Sequence, residues 1–277
     1  MSPQRKLTPQ EEARLSQVRE NFQKRKKITE SISTVSNKIG VYSGKGGVGK
    51  TTVSVNLACS LASLGKSVGI FDVDIDCPNV ANILHLSEGP TQNEKDKKFY
   101  PSSRFDVKVM TMSFFHENEE EATIWRGPMI TNAINQLLQM TNWGELDYLI
   151  VDLPPGTSDG PLTVMQTLNL DGFIIVTAPQ NVAKLDAIRS INMIKKLNQN
   201  VIGVVENFSG PVFGSGAAQE ISEQFNIPQL GTISLNGEHN SGTKPASLTS
   251  KTVKDCLLYT SDAADEGLGV DLGGRRI

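Results

Sequence analysis

Two lysines set in a run of glycines and followed by two threonines point to chemistry on phosphate. Gly44, Lys45, Gly46, Gly47, Val48, Gly49, Lys50, Thr51 and Thr52 are consecutive, and Gly44, Gly49, Lys50 and Thr51 fall on the spacing G-x-x-x-x-G-K-[ST]. The glycines leave room for backbone N–H groups to converge on phosphate oxygens. A helix starting at the end of the run adds its unpaired donors and the positive end of its dipole. Lys50 then neutralises phosphate charge, and the Thr51 hydroxyl suits Mg²⁺, a hard cation that takes oxygen ligands. The whole run from Gly44 to Thr52 is therefore expected to line a nucleotide.

The flanking pattern supplies the elements that such a loop needs. The apolar run at residues 39–42 reads as a buried strand, and Val55, Leu57, Ala58, Leu61, Ala62 and Leu64 give helical periodicity over 52–64. Residues 66–71 form a second strand ending in Asp72, Asp74 and Asp76, and 149–151 a strand ending in Asp152, followed by Pro154, Pro155 and Gly156. Further strands are expected at 107–112, 172–177 and 201–206, with a surface loop over 87–104. Helices are expected up to Met140, from Pro161 with Asp159 as its cap, and over 181–197 with an apolar stripe of Val182, Leu185, Ile188, Ile191 and Ile194. Strands alternating with helices predict an α/β fold, a doubly wound, mostly parallel sheet. Ligands bind such sheets at the carboxyl ends of the strands, which puts Asp72, Asp74 and Asp152 beside the phosphate loop as candidate metal-associated groups.

Residues 1–37 read as a separate basic segment, with Arg5, Lys6, Arg14, Arg19 and Lys24 to Lys27. Thr8, Pro9 and Glu11 make a capping box with proline at the first helical position, and Leu15, Val18 and Phe22 a thin apolar stripe, so a solvated helix is expected. The 277 residues carry a formal net charge of −3, which argues against a nucleic-acid-binding surface. No apolar run reaches bilayer length and the polar N-terminus lacks the apolar core of a signal peptide, so no membrane association and a cytoplasmic location are expected. Cys59, Cys77 and Cys256 are too far apart for a disulfide framework or a complete metal site. Cys59 is expected in the core, and Cys77 as a buried structural thiol.

Lys45, directly after the first glycine, gives a K-G-G-V-G-K-T-T run that resembles the deviant Walker A ATPases, among them MinD, ParA, the nitrogenase iron protein and the Mrp/ApbC group. The blocks from Trp125 to Met129 (W-R-G-P-M) and from Trp143 to Thr157 (W-G-E-L-D-Y-L-I-V-D-L-P-P-G-T) resemble the Mrp/ApbC iron–sulfur cluster carriers more closely. That resemblance implies a P-loop domain over 38–255 that binds Mg²⁺ and ATP and hydrolyses ATP slowly as a nucleotide-sandwiched homodimer. By the same resemblance Lys45 reaches the partner subunit's nucleotide, Lys50 stabilises charge, Asp74 orients the attacking water and Asp152 serves the metal. Asn207 matches the residue that reads adenine, and residues 181–197 match the dimer-facing helix. Cys77 stands where the family usually has glycine.

The family's C-P-x-C segment, which holds an iron–sulfur cluster between two subunits, has no counterpart after Asn207: the chain passes from Ser209 through Gly210, Pro211, Val212 and Phe213 to Gly214. Thiolate ligands are absent at the matching place. The resemblance implies a role in iron–sulfur protein maturation alongside a client or scaffold protein. Two alternatives stay open: a ParA/MinD-like positioning switch, and an ATPase partner that holds no cluster itself. From Cys256 onward the residues read as the translation of a transposase-type sequencing adapter. The segment 256–277 is therefore expected to be an artefact, leaving the last helix of the family missing.

Overall fold

In the computed structural model, residues 8, 11–12, 15–16, 23, 26–27, 29–75, 77–115, 127–157, 159–235 and 244–249 are described. Residues 76 and 256–277, Trp125 and Arg126, and the stripe positions Val18 and Phe22 lie outside them. At the amino end the capping box forms as expected: the Thr8 N–H donates to Glu11 Oε2 (2.8 Å) and the Glu11 N–H to Thr8 Oγ1 (3.3 Å). The backbone bond from Thr8 holds the Glu11 carboxyl below the usual carboxylate range. Leu15 is exposed.

Among the described residues ten strands follow in chain order: β1 (Val35–Tyr42), β2 (Val68–Asp72), β3 (Thr91–Gln92), β4 (Phe99–Tyr100), β5 (Ser102–Arg104), β6 (Val107–Thr111), β7 (Leu146–Asp152), β8 (Gly172–Thr177), β9 (Val201–Ser209) and β10 (Gln229–Ser234). Eight of them make one sheet in the order β10-β9-β8-β1-β7-β2-β6-β5, with all pairs parallel except β5 against β6. The doubly wound fold is as the alternating pattern predicts. The expected surface loop over 87–104 differs: it contains the antiparallel β3–β4 hairpin and the edge strand β5. Such short, polar strands carry no apolar alternation by which a sequence could announce them.

Alternation along the parallel strands sorts the core onto two faces. Tyr42, Phe71, Leu149 and Val151 point to one side, where helices Gly127–Met140, Asp159–Thr167 and Asn181–Lys196 supply Ile134, Val164 and Ile191. Ile39, Val41, Ile70 and Ile150 point to the other, under the helix Lys50–Ser63. This helix is buried at every position from Val53 to Leu61, because it is covered by the sheet and also by the short helices Val80–Ile83 and Ala246–Thr249. Ser247 N–H, donating to Asn56 Oδ1 at 2.7 Å, ties the last of these in place.

β1 lies between β7 and β8, so the chain winds outward from it in both directions and its carboxyl end is the topological switch point. Packing between strands leaves little slack. A Cβ on Gly203 of β9 would stand 2.5 Å from the Pro228 carbonyl oxygen and 2.6 Å from Leu230 Cγ. Gly203→Ala is expected to destabilise the domain by about 1–3 kcal/mol through forced displacement of β10, read as a lower urea midpoint with an unchanged slope; an unchanged midpoint would contradict this packing.

Candidate nucleotide and metal site

The loop between β1 and the helix Lys50–Ser63 is shaped by two left-handed glycines, Gly47 (φ +80°) and Gly49 (φ +81°), a conformation that Cβ-bearing residues rarely adopt. Gly49 forms the N-cap, its carbonyl accepting the Val53 N–H at 3.0 Å. It is also sterically obliged to be glycine, since a Cβ there would lie 2.1 Å from Asn207 Nδ2. The helix N-terminus thus opens at the carboxyl edge of the sheet with its donors directed into the crevice.

Register brings the acidic residues to this point. Asp152 stands opposite both Val41 of β1 and Asp72 of β2. Further bonds join the strand ends: Val73 N–H to the Asp152 carbonyl (3.1 Å), Leu153 N–H to the Val41 carbonyl (3.1 Å), and Gly156 N–H to the Ser43 carbonyl (3.0 Å). The Tyr42 hydroxyl donates to the Gly156 carbonyl, and burial pushes its pKa up to about 12. The loop after Asp152 is therefore attached to the strand that leads into the phosphate loop.

Asp152 is fully buried and holds three donors. Lys50 Nζ lies 2.8 Å from Oδ1, the Ser54 hydroxyl donates to Oδ1 at 2.6 Å, and the Thr51 hydroxyl donates to Oδ2 at 2.7 Å. Lys50 is 4.0 Å from Asp74 Oδ2, and both side chains are almost wholly enclosed. Asp72, at the end of β2, accepts the Asp74 N–H (3.1 Å) on Oδ1 and the Val80 N–H (3.1 Å) and Thr111 hydroxyl (3.2 Å) on Oδ2. Burial, followed by the negative charge of Asp152, pushes Asp72 up to about 8. Asp72 thus braces the turn from β2 into the helix Val80–Ile83, with Oδ1 accepting a single bond.

Two buried carboxylates, Asp74 and Asp152, share one buried ammonium, and once Lys50 turns to a phosphate they are short of positive charge. A divalent cation fits that deficit, and the hydroxyl of Thr51 and the carboxylate of Asp152, 2.7 Å apart, are the hard donors it takes. Among the described residues no group of three or more His, Cys, Asp or Glu makes a protein-only metal cage. Mg²⁺ does not require one, because it retains waters and shares phosphate oxygens.

The structure brings Gly44, Lys45, Gly46, Gly47, Val48, Gly49, Lys50, Thr51, Thr52, Asp72, Asp74, Asp152 and Asn207 to this one edge. Lys45 is exposed at the rim. Asn207 lies inside β9, one residue beyond the strand expected from the sequence, and donates from Nδ2 to the Val48 carbonyl at 2.9 Å. Its Oδ1 is buried with no hydrogen-bond partner. Gly44 packs on the helix Asn181–Lys196, where a Cβ would meet the Asp186 carbonyl oxygen at 2.1 Å. In that helix Ile191 and Ile194 are buried as expected, whereas Val182 and Leu185 are 58% and 52% exposed.

Two features escaped the sequence reading. Ser54 carries no recognisable signal beyond lying one helical turn after Lys50, and its role follows only from the approach of Asp152. Cys77, expected to be a buried structural thiol, is exposed: the turn after Asp74 directs its N–H to Asp74 Oδ1 (3.3 Å) and leaves its side chain outside. Cys59 is in the core as expected.

Strand, glycine loop, helix, buried lysine and strand-end aspartates together define a P-loop nucleotide-binding protein. The family described as ParA, NUBPL iron-transfer P-loop NTPase matches residues 34–255, and the chain belongs to that family. It is 41% identical over 220 residues to an iron–sulfur cluster carrier protein of Synechocystis, covering 74% of this chain and 62% of that protein. It is 40% identical over 221 residues to one of Methanocaldococcus jannaschii, covering 76% of each. The chain thus spans less than two thirds of the length of the first of these. Among solved structures it is similar to a nucleotide-binding protein of Archaeoglobus fulgidus in complex with ADP (TM-score 0.67, 30% identity, 87% of this chain and 92% of that one). The cell division ATPase MinD of Pyrococcus furiosus shares the fold (TM-score 0.64, 21% identity, 83% and 99%).

Burial pushes the Cys59 thiol up to about 12, so it stays protonated and shielded in the native state, whereas Cys77 is open to solvent. Iodoacetamide at pH 8 is expected to modify Cys77 in the native protein and Cys59 only after denaturation, as read by peptide mass spectrometry; native labelling of Cys59 would contradict the arrangement.

Proposed function

We propose that this protein is a Mg²⁺-dependent ATPase that binds and slowly hydrolyses ATP as a homodimer and acts in iron–sulfur protein maturation. The observation that carries this reading is the buried constellation of Lys50, Thr51 and Asp152 at the mouth of a glycine-rich helix N-terminus. Backbone N–H groups of Gly46, Gly47 and Gly49 cradle the phosphates, and Lys50 leaves Asp152 to lie along them. Thr51 and Asp152 would hold Mg²⁺, which would supply charge neutralisation for the phosphates. Asp72 stands behind Asp152 at the same edge. Asp74, whose Oδ1 accepts the Cys77 N–H, orients the water, and Asn207 reads adenine.

Two observations support the dimer. Lys45 is exposed at the rim, available to stabilise charge on a second copy's nucleotide. The helix against Gly44 presents Val182 and Leu185 to the outside, apolar surface of the kind that a second copy covers. Among the described residues no helix is long and apolar enough to cross a membrane, and the reading includes neither membrane nor nucleic acid as a partner, with a cytoplasmic location.

For the iron–sulfur step, a second reading is favoured by one feature. Where the family's cysteine segment belongs, Gly210 and Gly214 exchange two backbone hydrogen bonds (2.9 and 2.8 Å) and close a hairpin with Val212 and Phe213 exposed at its tip. In this reading the ATPase works beside a separate cluster-holding protein and carries no cluster itself. The domain boundaries at 38 and 255, with 256–277 as translated adapter, complete the proposal.

Lys50→Ala is expected to abolish nucleotide binding, and Lys45→Ala to preserve monomer binding while suppressing hydrolysis and dimerisation. Fluorescent-nucleotide titration and phosphate release check both; parental affinity in Lys50→Ala, or parental turnover in Lys45→Ala, would refute the respective roles. Anaerobic reconstitution with iron and sulfide is expected to give no stable chromophore, since a bridging cluster needs two accessible thiolates per subunit. A stoichiometric chromophore lost in Cys77→Ser would restore direct cluster carriage.

A further inference from the structure

Ser54 belongs to no part of the phosphate motif, and its side chain is completely buried, with no surface to offer a nucleotide. Its hydroxyl is 3.1 Å from the Lys50 carbonyl and 2.6 Å from Asp152 Oδ1. One hydroxyl proton serves these two acceptors. The Lys50 carbonyl already lies at the i−4 position of the helix, where backbone N–H groups satisfy it, whereas the carboxylate is charged and shut off from water. The shorter contact has the length of a charge-assisted O–H···O⁻ bond, which assigns the proton to Asp152.

The three donors on Asp152 have different obligations. Lys50 and Thr51 are the groups that the nucleotide and its metal recruit, so both change partners when the site fills. Ser54 has no such demand on it. It is held by helix backbone that packs on the sheet from Val53 to Leu61. Without it, Oδ1 of a wholly buried carboxylate would lose its remaining donor as Lys50 departs, and the side chain would be free to rotate.

We propose that Ser54 is a positioning residue: its hydroxyl anchors Oδ1 of Asp152, so that Oδ2 stays turned toward Thr51 while Lys50 moves between the carboxylate and the nucleotide. The assignment rests on the reading of this site as one for Mg²⁺ and ATP. It places the role of Ser54 in the metal-dependent part of nucleotide affinity and outside the phosphate cradle itself.

The test is a titration of a fluorescent ATP analogue into full-length parent, Ser54→Ala and Ser54→Thr, each in Mg²⁺ and in EDTA, with thermal unfolding measured alongside. Ser54→Ala is expected to lose roughly ten- to a hundredfold in affinity in Mg²⁺, the scale of one hydrogen bond to a charged group, with unchanged affinity in EDTA. Ser54→Thr keeps the hydroxyl and is expected to restore Mg²⁺-dependent affinity. An equal loss in Mg²⁺ and EDTA, or no loss in either, overturns the assignment. Should Ser54→Thr fail to fold, Asp152→Asn replaces it: adding Ser54→Ala to that variant is expected to cost nothing further, and an additive loss overturns the proposal. A parent that binds no nucleotide overturns the ATP reading and this assignment with it, whereas a parent that binds beside an unaffected Ser54→Ala overturns only the assignment.

Discussion

The buried ion pair between Lys50 and Asp152 is the constraint on which the architecture of this site depends. A carboxylate with no exposed surface and an ammonium nearly as enclosed cannot be held apart in a folded domain, because each alone would carry the full penalty of desolvation. The pair exists only if the end of β7 and the first turn of the helix Lys50–Ser63 arrive at the same point. That requires β1 to lie beside β7 in the observed register, and the glycine loop to reverse direction within a few residues. Sheet order, loop geometry and helix burial are thus all conditions for one 2.8 Å contact.

That contact also makes the site responsive. In the proposed function a nucleotide phosphate would compete with Asp152 for Lys50, so filling the site would transfer positive charge from carboxylates to phosphates. Asp72 and Asp74 feel the transfer, the first through its proximity to Asp152 and the second through Lys50 itself. Both are joined to the backbone that runs from β2 to the helix Val80–Ile83, and Gly156 is joined to β1 through Tyr42 and Ser43. Under the proposed function, a local exchange of ion pairs would act on the two loops that border the crevice, and on Gly44 against the helix Asn181–Lys196.

The hairpin closed by Gly210 and Gly214 shapes the link from β9 to the helix Ala217–Phe225. Here the connection is a tight turn with Val212 and Phe213 at its tip, and the Glu206 carboxylate reaches across to accept the N–H groups of Gly216 and Ala218. That capping arrangement fixes the start of the following helix directly against the strand end.

What the sequence determined by itself was whatever depends on neighbours along the chain. Glycine spacing from Gly44 to Gly49, a lysine and threonine at the helix start, apolar runs of strand length and the capping box at Thr8 are all local, and each appeared at or within a few residues of its expected place. The aspartates at strand ends were legible too, because a parallel α/β sheet sends every strand's carboxyl end to one edge. Tertiary structure alone decided how these groups divide the labour. Asp72 braces the turn after β2 because the Val80 N–H and Thr111 hydroxyl converge on it. Cys77 faces solvent because the turn at Asp74 ejects it, and Ser54 serves Asp152 although 98 residues separate them. Hydrogen-bond partners across strands are set by register and packing, and no periodicity within one segment encodes which distant donor will meet a buried carboxylate.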